Sequence, residues 1–455
     1  MNNQEQSQGQ EELDFRKVLP VFVIVLVDLL GLTIIIPLLP LYAAAFGANA
    51  FLIGLLGAAY PLMQFIGAPL LGRLSDRYGR KPVLLVSQVG TLIGFLILGW
   101  ANALPLLFLS RIIDGISGAN ISTAQAVISD VTNEKTRTQG LGLLGAAFGI
   151  GFIIGPVIAF VSLIASGNNY HVPAFVAAGF SAASILLTWF SLEETLPQGE
   201  SEAKERRPTL SLGAMIGSLS RPVIGAFLFL MFAQQLAFGG FEQLLALFTL
   251  NRLGMNASSN AVIFVFVGLI VVLVQGKLIG PWSRRFGDRR LVQAGLLTLA
   301  LGLTLTALTP RSPVPWYSEQ ALTQELRGSG GFTTPEAGVT TDVSIELPEQ
   351  ENSGWLGLIW ILVAMVPASI GGGLLQPSIN SLITQHGSAV EVGGLLGLSA
   401  SFMSAANALA PIIGGAVFNW LGSTAPFLLF GLIMALLLLW SFRADAFRMY
   451  EGAKA

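Results

Sequence analysis

The sequence predicts an all-α membrane protein with twelve transmembrane helices in two pseudo-symmetric six-helix bundles. Three observations carry this. The 455-residue chain is 53% hydrophobic and only 11% charged, whereas about 25% of a soluble protein is charged. Apolar runs of about 20 residues, the length that crosses a bilayer, recur along it. A charged stretch also repeats: Gly72-Arg-Leu-Ser-Asp-Arg-Tyr-Gly-Arg-Lys-Pro82 returns 208 positions on as Gly280-Pro-Trp-Ser-Arg-Arg-Phe-Gly-Asp-Arg-Arg290. Ser75, Arg77 and Gly79 then fall on Ser283, Arg285 and Gly287, and Asp76 falls on Arg284. A repeat this wide indicates two similar halves.

Taken in order, the expected spans of the first half cover 17–46, 51–72, 82–101, 104–130, 138–165 and 173–191. Those of the second cover 219–250, 258–280, 289–309, 354–385, 391–419 and 423–443. The chain therefore divides into an N-terminal bundle (1–192), a polar linker (193–218) with Lys204, Arg206, Arg207 and Pro208, and a C-terminal bundle (219–455). The first run is longer than a signal-peptide core and carries an Asp, so it is expected to be a retained span. Basic residues gather before span 1, in links 2–3, 4–5 and 8–9, in the linker and at the C-terminus. Short cytoplasmic loops collect Lys and Arg, so both termini are expected in the cytoplasm, with the protein in the cell (inner or plasma) membrane. Residues 310–353 form an acidic extracytoplasmic loop with seven acids and two bases, rich in Gly, Pro, Ser and Thr. Its composition predicts a flexible segment on which no span depends, so that deleting 315–350 leaves folding intact.

Composition also excludes. There is no cysteine, hence no disulfide, thiol catalysis or thiolate metal site. His171 and His386 are too isolated for a metal cluster. No Ser/His pairing or HExxH spacing occurs, so no enzyme is expected. No cofactor or metal is expected either, nor any nucleic-acid partner. The expected partners are the lipid bilayer and a small-molecule substrate, and the chain is expected to be a monomer.

Charges inside spans are the sharpest chemical signal, because each costs roughly 2.5–3.5 kcal/mol to insert near the bilayer centre. Asp28 lies about eleven residues into span 1, roughly 16 Å deep at 1.5 Å per residue. Arg111 and Asp114 reach a similar depth in span 4 from the other side, and their three-residue spacing puts them on one helical face. The three either couple protons to transport or form a fixed ion pair that orients helices. Glu242, in Phe238-Gly-Gly-Phe-Glu-Gln243, either exchanges protons or reaches headgroups. Lys277 snorkels. Gln64, Gln88, Gln125, Gln234, Gln235, Asn380 and Asn407 either line a polar cavity or hydrogen-bond neighbouring helices. Helix bending is expected at Pro37 and Pro40 in span 1, at Gly149, Gly155 and Pro156 in span 5, and at Gly371-Gly372-Gly373 in span 10.

These residues together resemble the major facilitator superfamily, and within it the twelve-span drug:proton antiporters. Gly72 to Pro82 resembles the signature between spans 2 and 3. Asp28-Leu-Leu-Gly31 through Pro37-Leu-Leu-Pro40 resembles the span 1 motif. Arg111-Ile-Ile-Asp-Gly115 through Gly118 resembles the span 4 motif, whose Arg is tied to proton coupling. Gly145 to Pro156 resembles the span 5 motif of exporters. Within the family the sequence is most similar to tetracycline exporters, through Gly72-Arg-Leu-Ser-Asp-Arg77 and Arg111-Ile-Ile-Asp-Gly-Ile-Ser-Gly-Ala119. It departs from them in having Gln88 and Gln293, and no acid, within spans 3 and 9. The resemblance implies alternating access, with protons as coupling ion and export of small amphipathic compounds or drugs. The alternatives are a sugar or other metabolite transporter and a non-transporting membrane sensor. Proton coupling and the substrate cavity would fall to Asp28, Arg111, Asp114, Glu242, Gln125 and Gln234. Gating would fall to Gly72, Asp76, Arg77, Gly79, Arg80 and Asp130. Asp76 would sit near the start of span 11, around Gly393, where a helix N-terminus favours a carboxylate, and Arg80 would pair with Asp130. Alternatively, the cations of this stretch only fix topology.

Overall fold

The structure, a computed structural model, describes residues 15–118, 120–132, 137–196, 217–329, 345–385 and 392–443. Among these residues helices dominate and there is no strand. In lipid every backbone polar group must be satisfied within its own segment, which selects helices for an apolar chain of this kind. The first half contains α1 (Phe15–Ile35), α2 (Leu39–Ala45), α3 (Ala50–Tyr78), α4 (Arg80–Gly99), α5 (Leu104–Ser117), α6 (Asn120–Val131), α7 (Arg137–Ala165) and α8 (His171–Ser191). The second contains α9 (Pro222–Leu253), α10 (Ala257–Leu273), α11 (Ile279–Phe286), α12 (Asp288–Ala307), α13 (Glu319–Ser329), α14 (Trp355–Gln385), α15 (Val392–Leu421) and α16 (Ala425–Arg443). A five-residue π-helical turn, Val274–Leu278, joins α10 to α11.

Each of the twelve expected spans falls on a helical stretch, and ten stretches are both long and apolar enough to cross a membrane. The other two are the stretch divided between α5 and α6, and α7, whose apolar part is Gly149–Ala165. Span 1 breaks between Ile35 and Leu39, across Pro37, and Pro40 occupies the first turn of α2, where its missing N–H costs nothing. At Pro156 and Gly371–Gly373 the helices run through.

The charged link between spans 2 and 3 is shorter than its sequence predicts. Helix α3 continues through Gly72, Asp76 and Arg77 to Tyr78, and α4 begins at Arg80. The chain reverses at one residue, Gly79, whose φ of 103° excludes a side chain. Gly287, with φ of 80°, does the same between α11 and α12. The face that carries these turns is called here the basic face, and the opposite one, with residues 310–329 and 345–353, the loop face.

The halves touch along α3–α15 and α7–α10. Small residues allow this close approach: a methyl group on Gly54 would strike the Pro411 carbonyl and come within 3.0 Å of the Gly415 Cα. Phe51 stacks on Trp420 with ring centroids 5.7 Å apart. Since α3 begins and α15 ends at the loop face, these contacts close that face.

Over 310–329 and 345–353 the expectation of a flexible loop is corrected by the structure. Helix α13 packs on α2 of the other half, and Val314, Tyr317, Leu322, Leu326 and Ile345 are buried. Those five side chains supply the apolar area that the Gly, Ser and Thr content conceals. Residues 330–344, the central part of the linker, both chain ends and His386 lie outside the described residues.

Candidate functional site

Helix α5 presents Arg111 and Asp114 on the face that packs against α3 and α4. Both are buried, with the guanidinium Nη1 3.1 Å from the Asp114 Oδ2. The guanidinium also lies over the Phe95 ring, 5.7 Å from its centroid. Tyr60 of α3 lies within range of the charges of Asp114, Asp28 and Arg111 together, so the structure gathers these three residues around one phenol. Asp28 itself is half-buried on α1.

Glycines bring the helices close enough for this. A Cβ on Gly94 would come 2.9 Å from the Asp114 Cβ, one on Gly115 2.6 Å from the Tyr60 carbonyl, and one on Gly118 2.6 Å from the Tyr60 hydroxyl. Where α5 ends, Gln64 Nε2 donates to the Gly118 carbonyl at 3.0 Å, covering an acceptor the interrupted helix leaves open. Around Asp28, a side chain on Gly155 of α7 would collide with Thr33, and one on Gly151 would touch Leu29 at 3.4 Å. Gly149 faces Val272 of the other half. Pro156 continues α7 beside Gly155.

In the second half, Gln234 is buried on α9 and donates to Gln235 Oε1 at 3.1 Å; Gln235 in turn donates to Asn407 Oδ1 at 2.8 Å, joining α9 to α15. Ser399 donates to Asn380 Oδ1 at 2.7 Å. Glu242 is half-buried two turns along α9 from Gln235, and no ion pair holds it among the described residues. Gln125 is exposed on α6. Gln88 is fully buried and donates to Ser184 at 2.7 Å, while Ser184 donates to the Ile24 carbonyl at 3.3 Å. It is a strut through α4, α8 and α1.

At the basic face, Arg80 is the first residue of α4 and is buried. Its Nε lies 2.9 Å from Asp130 Oδ2, at the end of α6, and its Nη1 2.7 Å from Asp76 Oδ1 and 2.8 Å from Ser75 Oγ. Asp76 is 43% exposed and its partner is in its own half. Arg77 is exposed beside the Tyr78 ring, and Gly72 has open space around it.

Three participants escaped sequence reasoning. Glu194, just after α8, accepts from the Arg80 and Lys81 backbone N–H groups at 2.8 and 3.1 Å, and so caps α4. A Cβ on Gly79 would lie 2.5 Å from its Oε2. Its signal was an acid following a span that faces the basic turn. Asp288 opens α12 and accepts from Ser283, Ser381 and Gln385 at 2.5, 2.6 and 2.8 Å; the 208-residue repeat aligns it with Arg80. Tyr60 is the third, signalled by a lone phenol one turn from Gln64.

With this geometry in hand, the chain matches the model of the Major Facilitator Superfamily over residues 21–344 and 278–453. The chain belongs to this superfamily. Among characterised relatives, it is 35% identical to the class E tetracycline resistance protein of Escherichia coli over 328 residues, 70% of this chain and 78% of that one. It is 29% identical to the class D protein of Salmonella ordonez, covering 92% and 95%. The fold is shared with the human organic anion transporter MFSD10 (22% identity, TM-score 0.57, 94% and 99% covered) and the nucleoside transporter NupG (13%, TM-score 0.67, 95% and 99%). This facilitator-superfamily chain is thus an integral membrane transporter and not an enzyme.

Proposed function

We propose that the protein exports small amphipathic compounds in exchange for protons, by alternating access. The buried Arg111–Asp114 pair beside Asp28 carries this reading. Desolvating two charges costs more than packing apolar side chains of the same volume, so a purely structural role is an expensive use of them. A carboxylate that exchanges its guanidinium partner for a proton turns that cost into coupling. Similarity to tetracycline resistance proteins supports an exporter. One pH unit supplies about 1.4 kcal/mol per proton, and 100 mV about 2.3 kcal/mol per charge moved, enough for a drug gradient. Glu242, Gln234 and Gln125 serve the substrate pathway, and Asp76, Arg80 and Asp130 gate it. By the positive-inside rule the basic face is cytoplasmic, which makes the loop face extracytoplasmic and places both termini in the cytoplasm.

The test uses reconstituted vesicles with tetracycline and ethidium as probes. The wild-type protein is expected to release protons on probe addition and to accumulate probe against a pH gradient, and Asp28→Asn to lose both. Proton exchange and efflux that survive Asp28→Asn would overturn the coupling assignment.

A further inference from the structure

The segment between α12 and α14 carries a structure that proton coupling does not use. Helix α13 is anchored in its own half: the Tyr317 hydroxyl donates to the Pro348 carbonyl at 2.9 Å, and the Val314 N–H donates to the Leu253 carbonyl at 3.0 Å. A side chain on Gly254 would collide with the Tyr317 ring. From there α13 reaches across to α2 of the first half. Glu325 is half-buried on this helix and serves both halves. Its Oε1 accepts from the Tyr170 hydroxyl at 2.9 Å and its Oε2 from Asn168 Nδ2 at 3.1 Å, both in the first half. The same Oε2 accepts from Asn256 Nδ2 of the second half at 3.1 Å.

Each donor is fixed by a duty at a helix end. Asn256 caps α10 through its Oδ1, which accepts from the Ser259 N–H at 3.1 Å and leaves the amide nitrogen for Glu325. Asn168 has φ of 61°, a left-handed conformation that Asn tolerates well, just after α7. Tyr170 precedes α8 and is fully buried; burial, and then the Glu325 charge, push its phenol up, so that it stays a donor. Helices α7 and α10 are themselves one of the two seams between the halves.

We propose that α13 is a gate on the loop face, clasped by Glu325, whose carboxylate ties the end of α7 and the start of α8 to the start of α10 and must let go whenever that face opens. The proposal rests on the alternating-access part of the function above and on neither proton coupling nor cargo. The carboxyl group accepts two hydrogen bonds from the first half and one from the second, and because α13 is anchored in the second half it loses Tyr170 and Asn168 once α10 swings away from α7.

The test exploits the cysteine-free sequence. Ala45, buried at the end of α2, is replaced by Cys in nanodisc-embedded protein, and its reaction with a membrane-impermeant maleimide reports opening of the loop face. Glu325→Ala is expected to raise the labelling rate about tenfold, the equivalent of ~1.4 kcal/mol of lost closure, and Glu325→Gln to raise it less. Tyr170→Phe and Asn256→Ser cut one strand each from opposite halves. Asn256→Ser keeps a capping oxygen, and both variants are expected to raise the rate severalfold. These two leave Glu325 in place and carry the test should Glu325→Ala misfold. An unchanged rate in folded Glu325→Ala, or a rise there that neither single-strand variant shares, would overturn the clasp. The readout contains neither proton nor substrate, so its failure leaves the export reading standing, and failure of the Asp28 test leaves the clasp standing.

Discussion

The two basic-face turns share one backbone and differ in the sign of their charge. In each, a single glycine with positive φ reverses the chain, and the next residue, Arg80 or Asp288, is buried. In each, that residue binds a serine five residues before it, Ser75 or Ser283, and a side chain at the end of a third helix, Asp130 or Gln385. Yet Arg80 is a cation held by two carboxylates, whereas Asp288 is a carboxylate held by hydroxyls and an amide. The turn geometry is thus set by glycine and by the demand that a buried ion be surrounded, and either sign meets that demand. The difference lies in what is left over. The second hub contains one charge and neutral donors, while the first contains Asp76, a half-exposed carboxylate beyond what Arg80 needs. That surplus carboxylate is what the proposed gating would use, and only the first half has it.

The largest expected effect breaks the first hub. Arg80→Met removes the guanidinium that joins Asp130, only 11% exposed, to Asp76. Breaking a buried pair by removing one partner costs about 3–5 kcal/mol. Thermal melting in detergent is expected to fall sharply, with transport lost. Asp76→Asn, by contrast, is expected to change melting little, since exposed pairs contribute ~0–1 kcal/mol, while abolishing transport. A melt of Arg80→Met as high as wild type would mean that the two hubs do not hold their helices as described.

The two reversing glycines differ in what surrounds them. Both positions have backbone angles that are essentially glycine-only, at about 1–3 kcal/mol for any other residue. At Gly287 the added methyl group has open space, whereas at Gly79 it also displaces the Glu194 carboxylate that caps α4. Gly79→Ala is therefore expected to melt below Gly287→Ala by a further ~1 kcal/mol, the usual cost of a lost cap. Glu194→Ala is expected to erase that difference. Equal melting of the two Ala variants in the wild-type background would remove Glu194 from the hub.

The sequence shows the helices and half of this comparison. The bilayer demands long apolar helices, so every expected span lands on a helical stretch, ten of them long and apolar enough to cross, and the Arg111–Asp114 spacing correctly places two charges on a single buried face. Sign inversion hid Asp288, because a repeat read for matching residues passes over an Arg aligned with an Asp. Glu194 hid because an acid beside a polar linker looks solvated until the fold brings α4 over it. Helix α13 hid behind its composition, although Leu322 and Leu326, one turn apart and both buried, carry the helical pattern.

The smallest effect concerns the loop face, where a carboxylate again sits among neutral donors, as Asp288 does. Burial lifts the Glu325 carboxyl above its ordinary value of 4.5, against the opposing pull of Asn256, Tyr170 and Asn168; Tyr170 is the only titratable group among these three. A group whose pKa is higher in the clasped state than in the open one favours the clasped state as pH falls. The clasp is therefore strongest below about pH 4.5, and its advantage from protonation is lost as pH rises through the raised value. Spin labels on Ala50 and Leu421, at the loop-face ends of α3 and α15, are expected to report a larger closed population at pH 5 than at pH 7. Other acids in the chain add their own pH dependence, so the decisive quantity is the difference between the parent and Glu325→Gln, which cannot titrate there. Identical pH profiles for the two would show that the Glu325 carboxylate, unlike Asp76, does no more than hold.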